Sequence, residues 1–108
     1  MKTELLRVVL DVRNQLPVQD RLLFDALALS GKSGELANIV KRALFYPGES
    51  IHEHHQELID TLSDVLFHVQ SLAYELDITL EELTTYCIEK QQRRLSGSDT
   101  TKERVITS

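Results

Sequence analysis

Residues 57–76, ELIDTLSDVLFHVQSLAYEL, decide the fold. Leu58, Leu62, Val65, Val69, Leu72 and Leu76 recur at alternating steps of four and three, the period of one helical face, and Ile59, Leu66 and Ala73 widen that face. A helix patterned this way is expected to be buried along most of one side. Upstream, Ser50 followed three residues later by Glu53 reads as a capping box that starts it. Downstream, Thr79 and Glu82 repeat the spacing and open a further helix through Leu83, Tyr86, Cys87 and Lys90 to about Leu95. On the other side, Leu22, Ala26, Leu29, Ser33, Leu36, Val40 and Ala43 alternate by four and three in a long helix that begins after Pro17 and stops near Phe45, before Pro47 and Gly48. A first helix over residues 3–15 carries Leu5, Leu6, Val9, Leu10 and Val12 and reads as a packing arm. The expected fold is therefore an all-α, four-helix bundle with the two central helices forming its core and oligomerisation completing it. It occupies residues 1–95 as a single domain, followed by a polar tail over residues 96–108 that is either disordered or laid over a neighbouring subunit.

A chain of 108 residues has room for one modest core, so a large pocket calls for a second copy and a homo-oligomer, dimer or tetramer, is expected. Acidic residues outnumber basic ones by 17 to 12, for a net charge of -5, and no Lys/Arg cluster precedes the last helix, which argues against nucleic acid as a partner. A single cysteine, Cys87, cannot form an internal disulfide, and no charged segment with an apolar run precedes the first helix, so a cytoplasmic protein is expected. No apolar stretch approaches the roughly 18 residues that span a bilayer, and no membrane partner is expected.

Two positions break ordinary helix design. Gly31 and Gly34 lie inside the second helical pattern, where each costs about 1 kcal/mol relative to Ala. Close packing of a neighbouring helix is one compensation and approach of a ligand to the backbone is the other. Beside the apolar line of residues 57–76 runs a polar one, Glu57, Thr61, Asp64, His68, Ser71 and Glu75, and on the preceding helix Lys32 and Glu35 stand three residues apart. From charge alone these are solvated helix faces.

The words around them say more. Residues 28–42, ALSGKSGELANIVKR, and residues 57–69, ELIDTLSDVLFHV, resemble the two signature helices of the MazG-type all-α nucleoside triphosphate pyrophosphohydrolases, and the similarity extends from about Leu22 to Arg94. The family's first signature reads approximately G-E-x-G-E-[LV], its second E-L-[GS]-D-[VL]-L, and a later helix carries N-x-x-K followed by Arg. The resemblance implies that the all-α, four-helix bundle is MazG-like, and it implies an enzyme that cuts a nucleoside triphosphate between its α and β phosphates, with four acids holding Mg²⁺. The chemistry suits the spacing: acids three residues apart share a helix face, and two such pairs on neighbouring helices surround a hard cation with oxygens. Mg²⁺ then neutralises the phosphates and activates water, so positioning and charge carry most of the rate.

Position by position the pattern is half kept. Glu35 and Asp64 fall on two of the metal-holding acids, but Lys32 stands at the first and Thr61 at the third. Glu57 and Asp60 are nearby reserves, although Asp60 points about 100° away from the vacant position. Lys90 and Arg94 fit the phosphate-contacting positions, Cys87 replaces the Asn, Phe67 a common Trp and His68 a common aromatic. Lys32 is expected to pair with Glu35 or Asp64 and so take the place of the lost metal. The departures point to a divergent family member with weak or no catalysis and a nucleotide-binding or protein-partner regulatory role. The alternative is an active Mg²⁺-dependent pyrophosphohydrolase in which Glu35 and Asp64 keep a single ion. Outside this pattern, His52, His54 and His55 cluster at the start of the third helix; they read as a solvated helix start, with His52 and His55 spaced for a transition metal as the rival reading. His68 reads as a buried, hydrogen-bonded histidine rather than a general base, and Cys87 as a half-buried small side chain.

Overall fold

The computed structural model describes residues 2–46 and 48–97. Helix α1 spans Lys2–Arg13, a short 3₁₀ turn spans Val18–Asp20, and α2 runs over Arg21–Phe45. Helix α3 covers His55–Glu75 and α4 covers Leu80–Ser96. Among the described residues there is no strand, so the all-α expectation holds. None of the helices is long and apolar enough to cross a membrane. Contacts along the chain divide it after Asp77 into two units, one holding α1 to α3 and the other holding α4.

Within the first unit α2 packs along α3, and α1 packs on α3. The pairing is antiparallel, because cross-links climb one helix as they descend the other: Asp25 meets His68, Lys32 meets Asp64, and Arg42 meets Glu57. Their register puts the polar line of α3 into the seam. Thr61, His68 and Ser71 are buried, whereas Leu62 and Leu76 are 48% and 71% exposed and Leu58, Val65, Val69 and Leu72 are half-buried. Within its own unit the apolar line of α3 is therefore only partly covered, being turned roughly 80° out of the seam. The same rotation applies on α2. Asp25, Ile39 and Ala43 are buried while Leu22 is exposed and Leu29, Leu36 and Val40 are only half-buried. Among the described residues the fully buried apolar ones are Val9, Ile39, Ala43 and Ala73, a small set.

The helix ends follow local chemistry with one exception. Thr79 Oγ1 accepts from the Glu82 N–H and the Glu82 carboxylate accepts from the Thr79 N–H, both at 3.0 Å, so the expected capping box opens α4. Gly97 closes it in the left-handed region at φ 78°. At the other site, Ser50 Oγ accepts from the Glu53 N–H at 3.2 Å, yet residues 51–54 form turns and α3 begins only at His55. Ser50 therefore caps a turn and not the helix. His54, whose N–H is shared between the carbonyls of Ser50 and Ile51, sits at the junction. Pro47 and the tail from residue 98 onward lie outside the described residues.

Gly31 and Gly34 are not sites of close helix packing inside the chain. A Cβ placed on either would meet nothing within 4 Å, and both residues are exposed.

Candidate functional site

Lys32 joins the two signature helices. Its Nζ lies 2.9 Å from Asp64 Oδ2 on α3 and 3.4 Å from Glu35 Oε2 one turn ahead on α2. The Asp64 carboxylate, and after it Glu35, hold the ammonium above the ordinary lysine range. All three side chains are partly open to solvent, at 31%, 53% and 50% for Lys32, Glu35 and Asp64, so a ligand can reach them. One cation thus neutralises one acid from each helix, the arrangement that the sequence leads one to expect. Thr61, by contrast, is 3% exposed and belongs to the helix interface.

Below this site the seam is polar and closed. Asp25 is 1% exposed and takes three donors: His68 Nδ1 at 2.8 Å, the Ser71 hydroxyl, and Arg13 Nη1 at 3.4 Å. The same Arg13 nitrogen donates to Ser71 Oγ at 3.1 Å and to the Ser71 carbonyl at 3.3 Å, while Nη2 pairs with Glu75. Arg13 also stacks on Tyr74, 5.2 Å from the ring centre. His68 is edge-on to Phe24 and Phe67, at 5.6 and 5.1 Å. Because a carboxylate only accepts, the proton on Nδ1 is fixed by Asp25, which settles the tautomer of His68 when it is neutral. His68 is buried and hydrogen-bonded, as its sequence position indicates. The role of Asp25 and Arg13 was not legible: neither belongs to an apolar or family pattern, and nothing local sets them apart from the other charges of α1 and α2.

A second closed site joins α2 to α3. His54 is 8% exposed and lies between two carboxylates, with Nδ1 2.6 Å from Glu57 Oε1 and Nε2 2.5 Å from Glu49 Oε1. Both ring nitrogens face acceptors, so both must donate and the ring is an imidazolium. Glu57, then Glu49, hold its pKa above the usual histidine value against partial desolvation, and His54 in turn holds Glu57 below the usual carboxylate range. Arg42 Nη2 adds a contact to Glu57 at 3.3 Å. This corrects the picture of a solvated histidine cluster: His52 and His55 are exposed, but His54 is a buried clamp.

Comparison with known proteins bears on the Lys32 site directly. The MazG nucleotide pyrophosphohydrolase domain matches residues 26–96, which is most of the chain. The chain belongs to this family. A relative, the Gene 37 protein of Mycobacterium phage L5, is 35% identical over 74 residues, covering 68% of this chain and 65% of its own length. The chain therefore spans just under two thirds of that relative. No solved structure matches.

Set against the MazG acids, Glu35 and Asp64 are brought to one place by Lys32, and Thr61 is withdrawn into the interface. Of the two reserve acids, Glu57 is taken by His54 and Arg42, and Asp60 is held by Gln56 Nε2 at 2.9 Å on the exposed side. Among the described residues no three His, Cys, Asp or Glu side chains converge as metal ligands. Lys90 and Arg94 lie on α4, in the second unit, as does Cys87, which is exposed and not half-buried as expected.

Proposed function

We propose that this MazG-domain protein carries a nucleotide-pyrophosphohydrolase site in which the Lys32 ammonium replaces Mg²⁺, leaving a nucleotide-binding or partner-regulating protein with weak or no hydrolysis. The observation that carries this reading is the contact of Lys32 Nζ with Asp64 and Glu35 together. A hard divalent cation needs several oxygens in a fixed shell. Here the two family acids already share a cation, and the remaining family positions offer an ammonium and a buried hydroxyl. The donor set fits Lys32 and not a resident Mg²⁺. Lys90 and Arg94 are the phosphate contacts of this reading on the family pattern alone. The protein is proposed to act away from membranes and nucleic acid, in keeping with its net charge of -5.

The alternative, retained Mg²⁺-dependent hydrolysis, is favoured by one observation: Glu35 and Asp64 are each about half exposed, so each has an oxygen free to meet an incoming ion. Mg²⁺ often uses only one or two protein carboxylates and keeps its waters. The two readings separate in one assay. The purified chain is incubated with a panel of nucleoside triphosphates and Mg²⁺ or Mn²⁺, and pyrophosphate is measured beside Lys32→Glu and the Lys32→Glu, Thr61→Glu pair. Robust release by the unaltered chain overturns the proposal. Release only after Lys32→Glu, alone or in the pair, supports it, and a nucleotide-dependent rise in melting temperature without turnover establishes retained binding. The single variant is needed because a glutamate at buried position 61 strains the seam.

A further inference from the structure

We infer that His68 Nε2 is the hydrogen-bond acceptor with which the Lys32 site reads a nucleobase, selecting nucleotides whose base carries an exocyclic amino group, cytosine or adenine. Selection of this kind rests on the nucleotide-binding reading given above and narrows its ligand class. The His68 side chain is 9% exposed, and its Nδ1 donates to Asp25 Oδ1 at 2.8 Å. Nε2 makes no hydrogen bond among the described residues, and it is not one of the sealed nitrogens, which are the Nε atoms of Arg13, Arg42 and Arg94. It therefore keeps an opening to a ligand. The two ring nitrogens point to nearly opposite sides of the ring. With Nδ1 drawn to the carboxylate that Ser71 and Arg13 also hold, Nε2 faces away from them, toward the turn of Asp64 and Lys32. His68 follows Asp64 by four residues, so the two stand one above the other on α3.

The surroundings fit a base. Phe24 and Phe67, one from each helix, meet the ring of His68 at 5.6 and 5.1 Å, and Phe24 is 40% exposed. Apolar rings beside a single polar acceptor suit a flat heterocycle with a donor on its edge. Room for it is built into α2. Phe24, Ala28, Gly31 and Glu35 follow at steps of four, three and four and so share one face, while Asp64 and Phe67, three apart, share a face of α3. Between Phe24 and Glu35 the α2 face carries only the Ala28 methyl group and Gly31, where an added Cβ meets nothing within 4 Å. The cost of an interior glycine is thus matched by space beside the cation site. Asp25 then sets the sign of the readout. By holding the Nδ1 proton it leaves Nε2 of the neutral ring with a lone pair. The amino groups of cytosine and adenine donate to that lone pair, whereas uracil, thymine and guanine present a carbonyl oxygen at the same place on the ring. Their ring N–H stands beside this oxygen, and Phe24 and Phe67 offer the oxygen no donor.

Calorimetric titration of the full chain with CTP, ATP, UTP and GTP, in EDTA and at about pH 8, above the free imidazole value of about 6.5, tests this. CTP and ATP should bind about tenfold or more tightly than UTP and GTP, and His68→Phe should bring all four within about threefold of one another. Gly31→Leu, a better helix former that fills the gap, should weaken all four alike. The unaltered chain gives a second readout that needs no variant. Its histidine nitrogen NMR should show His68 protonated on Nδ1, with a bare Nε2 signal that moves on adding CTP or ATP and stays in place with UTP. Equal binding of the four nucleotides, a preference that outlasts His68→Phe, or a neutral ring protonated on Nε2 overturns the assignment and leaves nucleotide binding in place. Unchanged binding by Gly31→Leu does the same, since the base then lies elsewhere. Binding of none of the four overturns the nucleotide-binding reading itself, and the selection with it.

Discussion

At the scale of single residues, two charges define the molecule. Lys32 lies between one acid of its own helix and one of the next, and the positive charge is what keeps Glu35 and Asp64 from repelling across the seam. Replacing Lys32 with Met should lower the melting temperature by about 1–5 °C, the small effect expected of partly solvated pairs. Added Mg²⁺ should then recover part of the loss by entering between the vacated carboxylates, and a melting temperature that neither falls nor responds to Mg²⁺ would sink the idea of a built-in cation. His54 gives the opposite kind of test, one of pH. Its folded pKa is raised, first by Glu57 and then by Glu49, so its stabilising charge is fully present below the unfolded histidine value of about 6.5 and is lost as pH rises through the higher folded value. Melting temperature should therefore decline as pH is raised above about 6.5, and His54→Gln should be less stable at pH 6 and show a flatter decline. Imidazole NMR resonances that titrate at the ordinary value would contradict it.

At the scale of helices, the polar seam sets the register. Asp25 gathers His68 from α3, Ser71 from the next turn of α3, and Arg13 from α1, so one buried carboxylate fixes three helices against one another. Removing it leaves a 3% exposed guanidinium with Glu75 as its remaining carboxylate partner and an Nε that already finds no partner among the described residues. Asp25→Ala should cost about 3–5 kcal/mol in urea unfolding, and Asp25→Leu combined with Arg13→Met should recover much of that, since the expense lies in the buried charge left under-compensated and not in the lost pair. Equal losses in the single and double variants would mean that the cluster matters only as packing volume. The helices themselves were legible in the sequence because capping residues, Pro17 and the four-three apolar spacing are local signals. The Lys32 pairing was legible because Lys32 and Glu35 share a helix face and the MazG pattern places Asp64 opposite. Which face of α3 turns inward was not. Periodicity marks an apolar line but is silent on whether that line meets its own chain, and the deciding contacts of Asp25 and Arg13 join residues 12 to 62 positions apart. Ser50 failed as a helix cap for a related reason: its hydroxyl bonds the right N–H, but the contacts of His54 with Glu49 and Glu57 hold residues 51–54 in turns.

At the scale of the whole molecule, fully buried apolar side chains are few among the described residues. Val9, Ile39, Ala43 and Ala73 include two alanines, so the half-buried Leu29, Leu36, Val40, Val65, Val69 and Leu72 carry much of the apolar burial of α2 and α3. The polar seam adds specificity more than net stability, because desolvation of Arg13 and Asp25 takes back most of what their attraction gives. If a second copy covers these half-buried lines, as the sequence leads one to expect, folding and association become one equilibrium. A coupled equilibrium of this kind has a melting temperature that depends on protein concentration, whereas a monomer's does not. Raising the concentration from about 2 to 200 μM should lift the midpoint of the helical melt by several degrees, and the same series on Leu62→Ala should begin lower and rise with a comparable slope. Melts that superimpose across that range would show that one chain is self-sufficient, and would place the burial that stabilises it within its own four helices.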